Sequence, residues 1–164
     1  YGKIDCLINN AANNPKVEES EENTFSRLET FNLKKWQEDI NVGLTGAFIC
    51  AKYFGNEIAK NKKGGVIINI SSDLGLIAPD QRLYIKINKA LKKQSVKPVT
   101  YSVVKHGIIG LTKYISTYWT HENVRCNVLC PGPIENNQPK SFIERLNFSD
   151  LSENILKFII LFRI

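Results

Sequence analysis

The sequence predicts an α/β fold built on a parallel sheet, and three observations carry that reading. Short runs at Ile4 to Ile8, Val66 to Ile70 and Val124 to Leu129 are rich in the β-branched and aliphatic residues of buried strands. Between the first two runs, and again between the last two, apolar residues recur at three- and four-residue steps, the spacing of a helix face. Strand and helix therefore alternate. Parallel neighbours need long crossovers of one hand, so this alternation predicts a sheet with helices packed on both faces.

Each element has its own signal. Asn9-Asn10 closes the first run, and the polar stretch from Asn13 to Thr30, with Glu18, Glu19, Glu21 and Glu22, reads as loop. From Leu33 to Ala59 the positions Trp36, Ile40, Leu44, Ala47, Phe48, Ala51, Phe54 and Ile58 trace one helix, with an interruption expected near Gly43. Gly64-Gly65 turns the chain into the second strand, and a lysine-rich loop follows Ser71-Ser72. A helix is expected from about Thr100 to Trp119. Past Pro139 the pattern decays, and Ile155 to Ile164 forms a short apolar run with no assigned partner.

Composition bounds the function. The chain has 164 residues, a formal net charge of +6 and 43% hydrophobic residues, which suits one domain with a core and argues against disorder. No apolar run approaches the roughly 20 residues that cross a bilayer, so no membrane association is expected. The opening from Tyr1 is strand-like and lacks the pattern of a secretory signal. Cys6, Cys50, Cys126 and Cys130 are too scattered for a disulfide framework, and the setting reads as cytoplasmic. On one strand Cys126 and Cys130 would lie about 13 Å apart at roughly 3.3 Å per residue, too far to bridge. His106 and His121 show no ligand spacing, so no metal is expected. The lysines lack interleaved aromatics, and no nucleic-acid partner is expected either.

Several residues could do chemistry. Tyr101 and Lys105 stand four apart at the start of the last helix, which puts a phenol and an ammonium on one face. In a lysine-rich chain that pair alone is weak evidence. Ser72, however, closes the second strand at its carboxyl end, where open α/β sheets hold their ligands. Asn41 sits inside a helix, where asparagine is a poor former and often has another task.

With these motifs in order, the sequence resembles the short-chain dehydrogenase/reductase family over roughly residues 1 to 139. Asn9-Asn10-Ala11-Ala12 is similar to the family's Asn-Asn-Ala-Gly, with Ala12 replacing the glycine, and Asn41 to Phe48 is similar to its Asn-Val-x-Gly-x-Phe helix, shifted in spacing. The strand-ending serine looks like Ser72, the Tyr-x-x-x-Lys looks like Tyr101 to Lys105, and the family's Pro-Gly looks like Pro131-Gly132. The resemblance implies a partial Rossmann-type doubly wound domain. It also implies hydride transfer between NAD or NADP and a secondary alcohol or ketone. Tyr101 would be the acid/base, its phenol lowered toward neutrality by the Lys105 ammonium. Lys105 would also hold the nicotinamide ribose, Ser72 the substrate oxygen, and Asn41 a water that completes a proton relay. Asn9, Asn10 and Ala11 would line the adenosine side, and the backbone of Pro131, Gly132, Pro133 and Ile134 the nicotinamide amide. Asn9 and Pro131-Gly132 also admit purely structural readings, as a strand-end cap and a turn.

Departures from the family set further expectations. Its glycine-rich first βαβ units and its last strand have no counterpart, so the chain resembles an internal fragment with a divergent tail over residues 140–164. Such a fragment is expected to be poorly stable and to bind cofactor weakly. The 28 residues between Ser72 and Tyr101 exceed those of compact members. That excess carries Arg82, Lys86, Lys89, Lys92, Lys93 and Lys97 against the acid Asp80, which points to an anionic substrate such as a sugar phosphate or nucleotide sugar. The wording of residues 73–84 and 100–125 resembles bacterial oxidoreductases of flagellin-modification clusters. A homo-oligomer paired through its two long helices is expected when full length. The rival reading is a non-catalytic binding or scaffold protein that keeps only the fold.

Overall fold

A computed structural model describes residues 2–13, 26–86, 89–132 and 160–162. The acidic cluster Glu18 to Glu22, Ile134 and most of the tail lie outside the described residues. Three parallel strands, β1 (Cys6–Asn9), β2 (Gly65–Ile70) and β3 (Val124–Cys130), stand side by side in chain order. The register pairs Cys6 with Val66 and Gly65 with Val124. A short fourth strand, β4 (Ile160–Phe162), runs antiparallel to Val128–Cys130 and gives the apolar tail the partner that its sequence did not disclose.

The first crossover is a helical rod from Leu33 to Ala59. Asn32 starts it, its side-chain oxygen accepting from the N–H groups of Lys34 and Lys35 at 2.8 and 3.3 Å. The rod runs through α1 (Leu33–Ile40), a π-helical turn at Asn41–Thr45, α2 (Gly46–Cys50), a second π turn at Ala51–Gly55 and α3 (Asn56–Ala59). The expected interruption at Gly43 is thus a widening of the helix and not a break. A side-chain carbon on Gly43 would come within 2.5 Å of Val104 Cγ1, so glycine lets the rod approach its neighbour closely. That neighbour is α4 (Val99–Tyr118), the second crossover. Gly64, at φ +65°, packs on the Asn123 carbonyl and ties together the turns that open β2 and β3.

Both crossovers lie against the same face of the sheet. The physical reason is the strand order: β1, β2 and β3 advance in one direction, so right-handed connections return on one side. Among the described residues no helix covers the other face, where Val66, Ile68 and Ile70 are half-buried. On the covered face Ala51, Ile58, Ile67, Ile115, Val124 and Cys126 form one apolar cluster. Ala47, Val104, Ile108, Ile109, Val128 and Cys130 form a second, nearer the carboxyl ends of the strands. Full burial of Ile58 and Ile67 is worth about 1.5–3 kcal/mol each. Among the described residues no helix is long and apolar enough to cross a membrane.

Candidate active site

The chemistry-bearing residues gather where β2 ends. The strand stops at Ile70, and the chain turns through Ser71 and Ser72 into a 3-10 turn, Asp73–Gly75. Ser72 caps that turn, accepting from Leu74 N–H at 3.3 Å while donating to Asp73 Oδ1 at 2.6 Å. Two contacts fasten the turn to α4. Ser71 Oγ donates to the Lys105 carbonyl at 2.7 Å, and Gly75 sits so close that a side-chain carbon would lie 2.8 Å from the same oxygen.

Tyr101 and Lys105 occupy the first turns of α4, on the side facing this clamp. Lys105 is buried, and its ammonium donates to the Ile70 carbonyl at 2.9 Å, 5.7 Å from the Tyr101 ring centre. Burial pulls the lysine below its ordinary range, opposed by Cys130. Tyr101 is raised, chiefly by burial; a hydrogen bond with Ser72 opposes this and the Asp73 carboxylate adds to it. Burial first, and the Asp73 carboxylate after it, outweigh the lowering expected from Lys105, whose ammonium is bonded to the Ile70 carbonyl. Burial also raises the thiols of Cys130 and Cys126, the latter to about 12, and all four cysteines are free thiols.

The other site candidates divide. Asn41 does not join: it is exposed, and its Oδ1 accepts from Gln37 Nε2 at 2.8 Å on the outer face of the rod. Gly43, two residues on, is the position that faces Val104 in α4. Asn9 donates to Asn69 Oδ1 at 2.7 Å, and Asn69 donates to Thr112 Oγ1 at 2.8 Å, so this amide ties strands to helix. Asn10 and Ala11 are exposed just beyond β1. Pro131 and Gly132 are half-buried beyond β3, with the Pro131 carbonyl accepting from Asp73 N–H at 2.9 Å. Ile134 lies outside the described residues.

Three residues to which the sequence reading gave no place in the site also meet here. Asp39 is buried in α1, accepting from Thr100 Oγ1 at 2.6 Å and from Asn13 Nδ2 at 3.1 Å, and paired with Lys35 at 3.1 Å. With Asn13, Thr100, Tyr101, Val104 and Lys105 it lines a cavity of about 10 Å³, room for one water. The signal was an acid within the apolar stripe between Trp36 and Ile40. Asp73 was adjacent to a named serine. Lys97 holds its ammonium 3.7 Å from the Tyr101 ring centre; it stands four residues before Tyr101, but ahead of Pro98 and outside the helix, where helical spacing does not apply.

A family model described as enoyl-(acyl carrier protein) reductase matches residues 1–163. The chain belongs to the short-chain dehydrogenase/reductase family. An uncharacterized oxidoreductase of Thermotoga maritima is 30% identical over 159 residues, which are 96% of this chain and 51% of that protein. A 3-oxoacyl-[acyl-carrier-protein] reductase of Synechocystis is 31% identical over 164 residues, 99% of this chain and 52% of its own. Among solved structures, a 3-oxoacyl-[acyl-carrier protein] reductase from Brucella melitensis with bound NAD superposes with a TM-score of 0.68 at 22% identity. That superposition covers 90% of this chain and 48% of the reductase. The chain thus spans about half the length of the short-chain dehydrogenases it matches.

Proposed function

We propose that the protein is an oxidoreductase that moves a hydride between NAD or NADP and a secondary alcohol or ketone. The observation that carries this is the convergence of Ser72, Tyr101 and Lys105 at the carboxyl end of a parallel sheet in a short-chain dehydrogenase chain. The donor set suits a nicotinamide ribose. Lys105 uses one of its three N–H donors on Ile70, and among the described residues no other acceptor is recorded for it, leaving donors for ribose hydroxyls beside the Tyr101 phenol. A bound nicotinamide supplies or accepts the hydride. Ser72 and Tyr101 hydrogen-bond the reacting oxygen, and Tyr101 gives or takes its proton. Asn10, Ala11, Pro131, Gly132 and Ile134 are read as lining the cofactor, and Asn9 as holding β1 in place behind them.

Within that class we favour an anionic sugar derivative, of the kind used in flagellin-modification or other surface-glycan synthesis. The lysines of the insertion support this reading, although Arg82 is neutralised by Asp80 at 2.7 Å. Pairing with a second copy is supported by Phe48, Tyr53 and Phe54 on the rod and Tyr114 on α4, all exposed. A cytoplasmic setting accords with four free thiols. The rival reading, a non-catalytic protein of the same fold, is favoured by the exposure of Asn41 and the raised Tyr101.

The deciding experiment assays the natural full-length protein for reduction of NAD and NADP, and oxidation of their reduced forms. The panel contains ketones and secondary alcohols, neutral and phosphorylated. Activity that falls about 10²–10⁴-fold in Tyr101→Phe supports the enzyme. Cofactor binding without turnover on any member of the panel, or turnover indifferent to Tyr101→Phe, favours the rival.

A further inference from the structure

Tyr101 receives positive charge from two separate stretches of chain. Lys105, one turn along α4, has its ammonium 5.7 Å from the ring centre and is bonded to Ile70. Lys97, at the end of the basic insertion, is nearer, at 3.7 Å. At that distance an ammonium meets a neutral phenol through the ring quadrupole and a phenolate through full charge attraction, so it favours the phenolate.

The backbone around Lys97 is fixed. Its own N–H donates to Gln81 Oε1 at 2.8 Å, and the Val96 N–H donates to the buried Ser26 hydroxyl at 3.1 Å. Pro98 follows with φ −56° and opens α4. Further back, Gln94 is buried and closes the loop, accepting from Lys86 N–H and donating to the Lys86 carbonyl, each at 2.8 Å. The described residues of the insertion therefore form a folded lobe that ends by laying a lysine on the phenol.

The other charges around the ring make a second cation useful. Asp73 faces Tyr101 from the turn after β2, Asp39 faces it across the small cavity from α1, and Lys105 faces it from α4, with the Cys130 thiol of β3 beside that lysine. Burial and the Asp73 carboxylate oppose the phenolate, Asp39 is paired with Lys35, and Lys105 is drawn toward Ile70.

We propose that Lys97 is a positioning residue of the reaction, a second cation that the insertion holds against the Tyr101 ring to stabilise its deprotonated form. This rests on the reading of Tyr101 as proton carrier. The test follows the ring-carbon NMR signal of Tyr101 through a pH titration of the full-length protein, the signal being assigned by its loss in Tyr101→Phe. Lys97→Met and Lys97→Gln should both move the midpoint up by about one pH unit or more. Lys97→Arg, which keeps the charge, should return it toward the original value. Midpoints in the neutral variants that coincide with wild type would overturn the proposal. So would an arginine variant that shifts as far as methionine, since that makes the effect one of packing. Circular dichroism confirms folding, and a neutral variant that unfolds leaves the other and the arginine variant to decide. The titration needs no turnover, so an inactive protein with a lysine-dependent midpoint refutes the oxidoreductase reading alone.

Discussion

Two polar clusters hang on α4 about three turns apart, and they are built differently. In the middle of the helix, Asn9, Asn69 and Thr112 form a chain of neutral groups that ends on the Ile108 carbonyl. Asn69 is 0% exposed and Thr112 2%, and both are hydrogen-bonded. At the start of the helix, Asp73 and Lys105 bring charge beside Ser72 and Tyr101; Ser72 and Lys105 are buried, Asp73 and Tyr101 half-buried, and the phenol and the ammonium are displaced from their ordinary ranges. Neutral groups that satisfy one another fasten strand to helix; charged groups with perturbed titration are the pattern of a functional site, and the proposed function rests on the second cluster. Asn9, grouped with the cofactor by its motif, belongs by geometry to the first kind.

Substitution should separate the two clusters. The largest effect is expected from Ser72→Ala, which should lower turnover about 10²–10³-fold. Its unfolding free energy should change by no more than about 1 kcal/mol, the worth of a lost cap, as read by urea denaturation. Asn69→Leu should do the reverse. It strands the Asn9 amide and removes a partner from Thr112, at a cost of about 2–3 kcal/mol in the same denaturation, and an unchanged midpoint would show the chain of amides to be idle. A smaller loss, about 1–2 kcal/mol, is expected for Gly43→Ala, because the added carbon meets the stiff, β-branched Val104. Asn41→Ala should be the mildest, within about 0.5 kcal/mol in stability and without effect on turnover. A hundredfold loss of turnover there would restore Asn41 to the proton relay and undo its placement on the outer face.

The strands and helices were legible because their periodicities are long and unbroken. The three parallel strands lie within a few residues of the expected runs, and the rod and α4 follow their apolar stripes. The face that the helices cover was not, since periodicity reports which side of a helix is apolar and says nothing of strand order. The placement of Tyr101 and Lys105 on one face was legible because helix geometry fixes a spacing of four, and that of Ser72 because it stands just past the second strand. Asn41 misled because its motif was matched with a shifted spacing, and on a helix a two-residue offset turns a side chain to the opposite side. Lys97 reaches the site from the loop ahead of α4 and Asp39 through its hydrogen bond with Thr100, contacts made only in three dimensions.

The clamp between the Ser71–Gly75 turn and the Lys105 carbonyl has a consequence for how such proteins diversify. Because the Ser71 hydroxyl and Gly75 fix the turn to the Lys105 carbonyl, the stretch between Ser72 and Lys105 can change length in its outer part while the end that lays Lys97 on the Tyr101 ring stays put. The outer part of the lobe is thus separable from the clamp, whereas its last residues, tied down through Lys97 and Gln81, are not.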